Sequence, residues 1–106
     1  MLTPTPKPPY YAVIFTSKRT EGDGGYSAMA EKMEALAKQQ PGFLGMEHAR
    51  DAELGITVSY FTDEASIVAW KKNVEHLEAQ RQGRERWYEA YDVRVAKVER
   101  AYSFAK

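Results

Sequence analysis

Apolar residues recur with helical spacing between residues 63 and 81, and a polar, uncharged strip runs beside them. The apolar positions are Ile67, Trp70, Val74 and Leu77. The strip consists of Ser66, Asn73 and Gln80. This pattern predicts an amphipathic helix with its apolar side directed inward. Helix flanks at a protein surface usually carry Lys and Glu, so neutral hydrogen-bonding groups beside a tryptophan favour a partly polar pocket for a small molecule.

The first half of the chain predicts a strand and then a helix. Residues 10–19 are rich in β-branched and aromatic types, and apolar groups occupy both alternating registers, which indicates a strand covered on both sides. A glycine-rich loop at residues 21–25 leads to a helix that buries Met29, Met33 and Leu36. The Pro41-Gly42 pair ends this helix.

The second half predicts a hairpin and then a helix and a strand. Residues 43–51 and 54–62 form two short strands joined by a compact turn at Asp51, and Asp63 supplies capping chemistry for the next helix. Gly83 breaks or bends that helix, and a short helical segment then carries Trp87, Tyr88 and Tyr91. Residues 93–104 form the last strand.

The order of elements predicts a ferredoxin-like α+β fold: a four-stranded antiparallel sheet with two main helices on one face. Residues 1–9 are rich in proline and form an arm, and residues 10–106 form a single domain. Because the strands are apolar in both registers, the face without helices needs a cover. A second copy of the chain is the simplest one, so we expect a homodimer joined through its sheet faces.

Composition excludes several classes of function. The 15 basic and 15 acidic residues balance, which argues against a nucleic-acid or membrane partner. Cysteine is absent, so disulfides, thiolate nucleophiles and Cys-based metal sites are excluded, and two histidines do not support a metal site. No apolar run approaches the roughly 20 residues that span a bilayer. We therefore expect a cytoplasmic protein without a metal site.

Several stretches resemble the antibiotic biosynthesis monooxygenase superfamily, whose members are dimeric α+β barrel proteins. They are residues 8–17, 40–45 and 55–60, Trp70-Lys71, Glu75-His76, Gly83-Arg84, Trp87-Tyr88 and Arg94. The resemblance covers essentially the whole chain and fits an uncharacterised branch of the superfamily. It implies a pocket between the sheet and the second helix, lined by the helix tryptophan, here Trp70.

The resemblance also implies functional positions. Quinone-forming members have an asparagine one turn before the tryptophan, where this chain has Ser66, and a distant arginine, for which Arg84 or Arg94 is the candidate. Heme-degrading members have a histidine about three turns after the tryptophan, where this chain has Gln80. They also carry an asparagine on the first strand, which this chain lacks, so the resemblance weakens a heme-degrading function.

For each candidate residue, a structural role is the alternative to a functional one. Trp70 either fills the core or forms a pocket wall, and Asn73 and Gln80 either make local bonds on the helix or donate to a developing oxyanion. His76 is either a surface residue or a general base, because an imidazole titrates near neutrality. His48 has a structural role on its strand.

Together with the polar strip, the resemblance implies a monooxygenase that acts on a small aromatic or polyketide-like substrate without a metal or organic cofactor. The catalytic candidates are His76, Asn73 and Trp70. The substrate-binding candidates are Ser66, Trp70, Gln80, Tyr60 and Arg84. Two alternatives remain open: a non-catalytic dimer that binds a small ligand, and a heme-binding or heme-degrading protein.

Overall fold

A computed structural model of the chain describes residues 2–20, 26–76 and 88–106, with only the backbone described at residues 26, 27, 29 and 74–76. The described part folds as the predicted series of strands and helices. The elements are β1 (Tyr10–Arg19), α1 (Tyr26–Ala37), β2 (Phe43–Arg50), β3 (Gly55–Phe61), α2 (Glu64–His76) and β4 (Tyr88–Val98). All strand pairs are antiparallel, and the sheet order is β2-β3-β1-β4. The predicted ferredoxin-like α+β fold is confirmed.

Local chemistry explains where α2 and the β2–β3 hairpin begin and end. The carboxylate of Asp63 accepts a hydrogen bond from the backbone N–H of Ser66 at 2.7 Å, which caps α2 as the sequence predicted. Asp51 accepts from the N–H groups of Glu53 and Leu54, both at 2.7 Å. This Asx turn closes the hairpin.

The fourth strand differs from the prediction at both ends. The sequence predicted a helical segment at Tyr88 and Tyr91 and a strand over residues 93–104, but β4 is Tyr88–Val98. Its limits match those of β1, since Val98 pairs with Tyr10 and Tyr88 pairs with Arg19. The ring of Phe15 on β1 lies 5.3 Å from that of Tyr91, so cross-strand aromatic packing outweighs the local helical signal.

Three predictions fall on residues outside the described ranges: the loop at residues 21–25, the end of the second helix at residues 77–81, and the break at Gly83 with Trp87 beyond it.

The two faces of the sheet differ in what covers them. The Met46 carbonyl points off the free edge of β2, where it accepts a hydrogen bond from Thr3 Oγ1 at 2.8 Å. With this orientation, a right-handed β1–α1–β2 connection puts the helices on the face that carries Met46 and Phe61. We call this the helix face and the other the opposite face. Phe61 on the helix face is fully buried, which places the core between β3 and the helices.

Residues on the opposite face alternate with those of the helix face. This face contains Tyr10 and Ala12, which are buried, and Ile56, which is 42% exposed. The N-terminal arm, residues 2–9, lies beside β2 and contacts this face through Thr3 and Thr5. One end of the opposite face is therefore covered within the chain, and the end near Ile56 is open.

Candidate functional site

Two residues of the predicted polar strip, Ser66 and Asn73, lie on one side of α2 together with Trp70. Ser66, Trp70 and Asn73 follow one another at helical spacing, so their side chains share one flank of the helix. All three are half-buried. The structure thus brings these three candidates together on a surface that is neither fully packed nor fully open to water.

Part of this strip contacts the connection between α1 and β2. Asn73 Nδ2 donates to Gln40 Oε1 at 2.7 Å, and Gln40 Nε2 donates to the carbonyl of Leu36 at 3.3 Å. Ser66 lies against Gly42. These contacts hold α2 against the end of α1. Asn73 still has a second amide hydrogen with which it could donate to a substrate oxygen.

The remaining candidates near α2 are placed only in part. His76 is the last residue of α2, and its side chain is outside the described atoms. Gln80 and Arg84 lie outside the described residues. Arg94 is described and exposed on β4, where Nη2 lies 3.9 Å from a carboxylate oxygen of Asp92.

Tyr60 is not part of this group, because it lies on the opposite face of the sheet. Its hydroxyl donates to Glu47 Oε1 at 2.7 Å, and Glu47 Oε2 accepts from the backbone N–H of Thr3 at 2.9 Å. Thr5 Oγ1 donates to the Tyr10 hydroxyl at 2.8 Å, and the rings of Tyr10 and Tyr60 meet edge to face at 5.8 Å. Tyr60 therefore links the arm to the sheet.

The pKa values of Glu47 and Tyr60 are both shifted in this link. The pKa of Glu47 is lowered from its ordinary value of 4.5 because the backbone N–H of Thr3 and the Tyr60 hydroxyl stabilise the carboxylate. The pKa of Tyr60 is raised to about 12 by burial first, and then by the hydrogen bond and the negative charge of Glu47. At neutral pH the pair is thus a neutral phenol donating to a carboxylate.

We expect Glu47→Gln to flatten the acid side of the stability profile. A lowered folded pKa stabilises the fold above the unfolded value of about 4.5, and this contribution is lost as pH falls through the folded value. The raised pKa of Tyr60 acts at the other end, since its contribution is present below about pH 10 and is lost as pH rises through about 12. Urea unfolding between pH 3 and pH 7 measures the acid-side slope.

Tyr60→Phe is the matched variant for this experiment. It removes one of the two donors to Glu47 and keeps the Thr3 bond, so its slope should lie between those of the wild type and Glu47→Gln. An acid-side slope that is the same in all three proteins would contradict the role given to this hydrogen bond.

The helix face also contains buried polar groups that the sequence analysis did not predict. Ser17 on β1 and Ser59 on β3 are buried, at 2% and 7% exposure, and Arg50 Nη2 donates to Ser17 Oγ. The strand register places both serines on the same face of the sheet as Phe61. The sequence did contain a signal for them: a serine at an inward-facing position of an otherwise apolar strand. Such a hydroxyl needs a hydrogen-bond partner when it is buried.

A cavity of about 290 Å³ lies next to β2, which is an edge strand of the sheet. Among the described residues, its lining comes from the arm, from α1 and the residue after it, and from β2. These residues are Leu2, Thr3, Pro4, Glu34, Lys38, Phe43, Gly45 and Met46. The cavity is therefore separate from the Ser66–Asn73 flank of α2, where the sequence predicted a pocket.

The described ranges contain neither a metal-binding cluster nor a membrane-spanning helix. No cluster of three or more His, Asp or Glu side chains in those ranges has a geometry suited to a metal ion. No helix in the described part of the chain is long and apolar enough to cross a membrane.

Comparison with known proteins gives consistent matches. A family model described as antibiotic biosynthesis monooxygenase matches residues 15–82. The Bacillus subtilis (strain 168) protein YqjZ, described as uncharacterized, is 53% identical over 104 residues, which are 97% of this chain and 91% of YqjZ.

Solved structures share the fold at low sequence identity. The cofactor-independent oxygenase SnoaB from Streptomyces nogalater superposes with a TM-score of 0.74 at 10% identity, over 87% of this chain and 95% of SnoaB. Protein SO0527 from Shewanella oneidensis superposes with a TM-score of 0.72 at 12% identity, over 92% of this chain and 97% of that protein.

Proposed function

The chain belongs to the antibiotic biosynthesis monooxygenase family, and we propose on this basis that it oxygenates a small aromatic or polyketide-like substrate without a metal or organic cofactor. The match to residues 15–82 carries the proposal, because it contains Ser66, Trp70, Asn73 and His76 together. SnoaB, which has the same fold, is a cofactor-independent oxygenase. Since fold does not determine chemistry, the assignment of roles has to come from the side chains.

The Ser66–Asn73 flank of α2 offers the groups that such a reaction needs. Trp70 supplies an aromatic wall against which a planar substrate can stack. The Asn73 amide donates toward a substrate oxygen on which negative charge develops. Ser66 and Gln80 add neutral hydrogen-bonding groups, and Arg84 adds a positive charge. Tyr60, on the opposite face, contributes in this proposal only by fixing the arm.

The chemistry proceeds through the substrate itself. His76, or a water in the pocket, removes a proton from a phenol or an enolisable ketone. The resulting anion is electron-rich enough to reduce dioxygen directly. One oxygen atom enters the substrate and the other leaves as water, so a phenol that becomes a quinone supplies all four electrons. The protein provides deprotonation, stabilisation of the anion and an enclosure that excludes bulk water.

We further propose that the working unit is a homodimer joined through the opposite faces of the two sheets. Ile56 is 42% exposed on that face, and both helices lie on the other side. An apolar sheet surface left open to water favours association, and a twofold interface buries the same surface on both copies.

An oxygen electrode with a panel of hydroxyquinol-like phenols tests the proposal. The triple variant Trp70→Phe, Asn73→Ala, His76→Ala should lower the rate of oxygen consumption at least 100-fold, since removal of a general base or of one oxyanion donor each costs a factor of about 100 or more. Lys71→Ala, an exposed change on the same helix, is the matched control and should keep the rate of the wild type.

Other outcomes point to the alternative functions. If no substrate consumes oxygen but mass spectrometry finds a metabolite that co-purifies with the protein, the chain is a ligand-binding dimer and the proposed chemistry is wrong. A specific Soret change on titration with hemin would instead favour heme binding. Consumption that is equal in the wild type and the triple variant would remove the proposed roles of all three residues.

A further inference from the structure

The cavity beside β2 combines an apolar lining with two opposite charges. Among its described lining residues, Leu2, Pro4, Phe43 and Met46 are apolar, and the charged groups are Glu34 and Lys38. Its volume of about 290 Å³ is close to the lower end of the range for small-molecule sites, which is roughly 300–1,000 Å³. The cavity therefore suits a small molecule with an apolar body and one charged group.

The wall that the arm contributes is held in place at Thr3. The backbone N–H of Thr3 donates to Glu47 Oε2 at 2.9 Å, and its Oγ1 donates to the Met46 carbonyl at 2.8 Å. The methyl group of Thr3 lies over Gly45, where a side chain would collide with it. Because the arm is already anchored to β2, a ligand does not have to order this wall when it binds.

Leu2 extends beyond this anchor and is poorly covered. It lines the cavity, yet it is 83% exposed, and Pro4 on the same wall is also exposed. On the other side of the cavity, Phe43 and Met46 are half-buried. Removal of such apolar surface from water is favourable. An apolar ligand body seated between Leu2 and these two side chains would withdraw all three from solvent.

The charged groups differ in how firmly they are held at the cavity. Glu34 lies in the last turn of α1, and Lys38 is the residue after the helix. Lys38 Nζ is 3.8 Å from Glu34 Oε1, and the side chains of Lys38 and Glu34 are 65% and 41% exposed. An exposed pair of this kind is weak, and a long lysine side chain readily extends into water. The shorter Glu34 keeps its carboxylate beside the apolar lining.

We propose that this cavity binds a small apolar molecule that carries a protonated amine. The amine pairs with Glu34 in place of Lys38, and the alkyl or aryl body lies between Leu2, Phe43 and Met46. This site is separate from the Ser66–Asn73 flank of α2, so it does not depend on the proposed oxygenation. It would be a second ligand site of the chain.

Titration of the full-length protein with hexylamine and with hexanoate, followed by ligand-detected NMR, tests the proposed class of ligand. The two probes have similar apolar bodies and opposite charges. Hexylamine should bind saturably and at least about threefold more tightly than hexanoate, the size of effect that a partly exposed ion pair produces. Absence of saturable hexylamine binding would overturn the site, and equal or tighter binding of hexanoate would overturn the assignment of an amine.

Two charge variants test the pairing with Glu34. Glu34→Gln should raise the dissociation constant of hexylamine about three- to tenfold, because it removes the partner of the amine. Lys38→Gln is the matched variant on the same ion pair. It removes the competing ammonium group, so the affinity should stay the same or rise. A Glu34→Gln protein that binds hexylamine as tightly as the wild type would contradict the pairing.

The apolar wall has its own pair of variants. Leu2→Ser should weaken hexylamine binding at least about fivefold, since it removes most of an apolar side chain that the ligand covers. Leu2 is exposed in the free protein, so this change leaves the fold intact. Val68→Ser on α2, at an apolar position 54% exposed, is the control and should stay within twofold of the wild type. Equal affinities of wild type and Leu2→Ser would place the amine elsewhere and overturn the inference.

Discussion

Phe61→Ala is expected to destabilise the protein by about 3–5 kcal/mol, the usual cost of truncating a buried phenylalanine. Phe61 has no exposed surface, and its ring meets that of Phe43 edge to face with centroids 5.7 Å apart. Truncation leaves a cavity between β3 and the helices and removes this aromatic pair, which neighbouring groups refill only in part. A loss of this size is a large share of the stability of a small domain.

Urea unfolding followed by circular dichroism at one fixed protein concentration measures this loss, since dimerisation would make stability depend on concentration. Val68→Ala is the control. Val68 is 54% exposed on α2, and its truncation should change the free energy of unfolding by less than about 0.5 kcal/mol. A loss below about 1 kcal/mol for Phe61→Ala would show that β3 is not packed as described.

Gly42→Ala is expected to cost about 2–5 kcal/mol, because it combines backbone strain with a steric clash. Gly42 has φ of 81°, a left-handed conformation that costs an L-residue roughly 1–2 kcal/mol. A Cβ atom here would lie 2.7 Å from Thr62 Oγ1 and 2.8 Å from Ser66 Cβ, with Ser66 Oγ closer still. Overpacking of this kind adds roughly 1–3 kcal/mol. The added methyl group would push the first turn of α2 away from the end of α1.

A double-mutant cycle measures how much of this cost comes from the Ser66 hydroxyl. Ser66→Ala removes the atom nearest to the new methyl group, so Gly42→Ala should cost less in the Ser66→Ala background than in the wild type. Thermal unfolding at fixed protein concentration measures each variant. If the cost is the same in both backgrounds, the Ser66 hydroxyl contributes nothing to it, and the cost comes from the backbone strain and the remaining contacts with Thr62 Oγ1 and Ser66 Cβ.

Gly42 also bears on the proposed chemistry, because Ser66 is one of the candidate substrate-binding residues. The carbonyl of Gly42 accepts from the N–H of Thr62 at 2.8 Å, which ties the start of β2 to the residue before the cap of α2. This local connection therefore sets the distance between α2 and the sheet. The width of any space beneath Trp70 depends on it.

Most of the fold was predictable from the sequence because its signals are local. The run of β-branched and aromatic residues in β1, the Asp51 turn and the Asp63 cap each depend on residues a few positions apart, and the structure confirms all three elements. The limits of β4 were not predictable in this way. Tyr88 and Tyr91 carry a helical signal with their neighbours, but their pairing with β1 joins residues about 70 positions apart.

The candidate site was predictable only in part. Helical spacing alone places Ser66, Trp70 and Asn73 on one flank of α2. It does not show that Asn73 donates to Gln40, a residue 33 positions away. The sequence analysis placed Tyr60 among the substrate-binding candidates, whereas the sheet register puts it on the opposite face, where it donates to Glu47. The burial of Ser17 and Ser59 was not predicted either, because it also depends on the strand register.

The sequence by itself determined the order of the elements, the family resemblance and the residues that share a flank of α2, because periodicity and turn chemistry act between near neighbours. The tertiary structure alone decided the limits of β4, the partners of Asn73, the burial of Ser17 and Ser59, and the place of the arm over Glu47. Each of these depends on contacts between segments that are distant in the chain. The geometry of these contacts follows from strand register and helix packing, which the pattern of neighbouring residues does not specify.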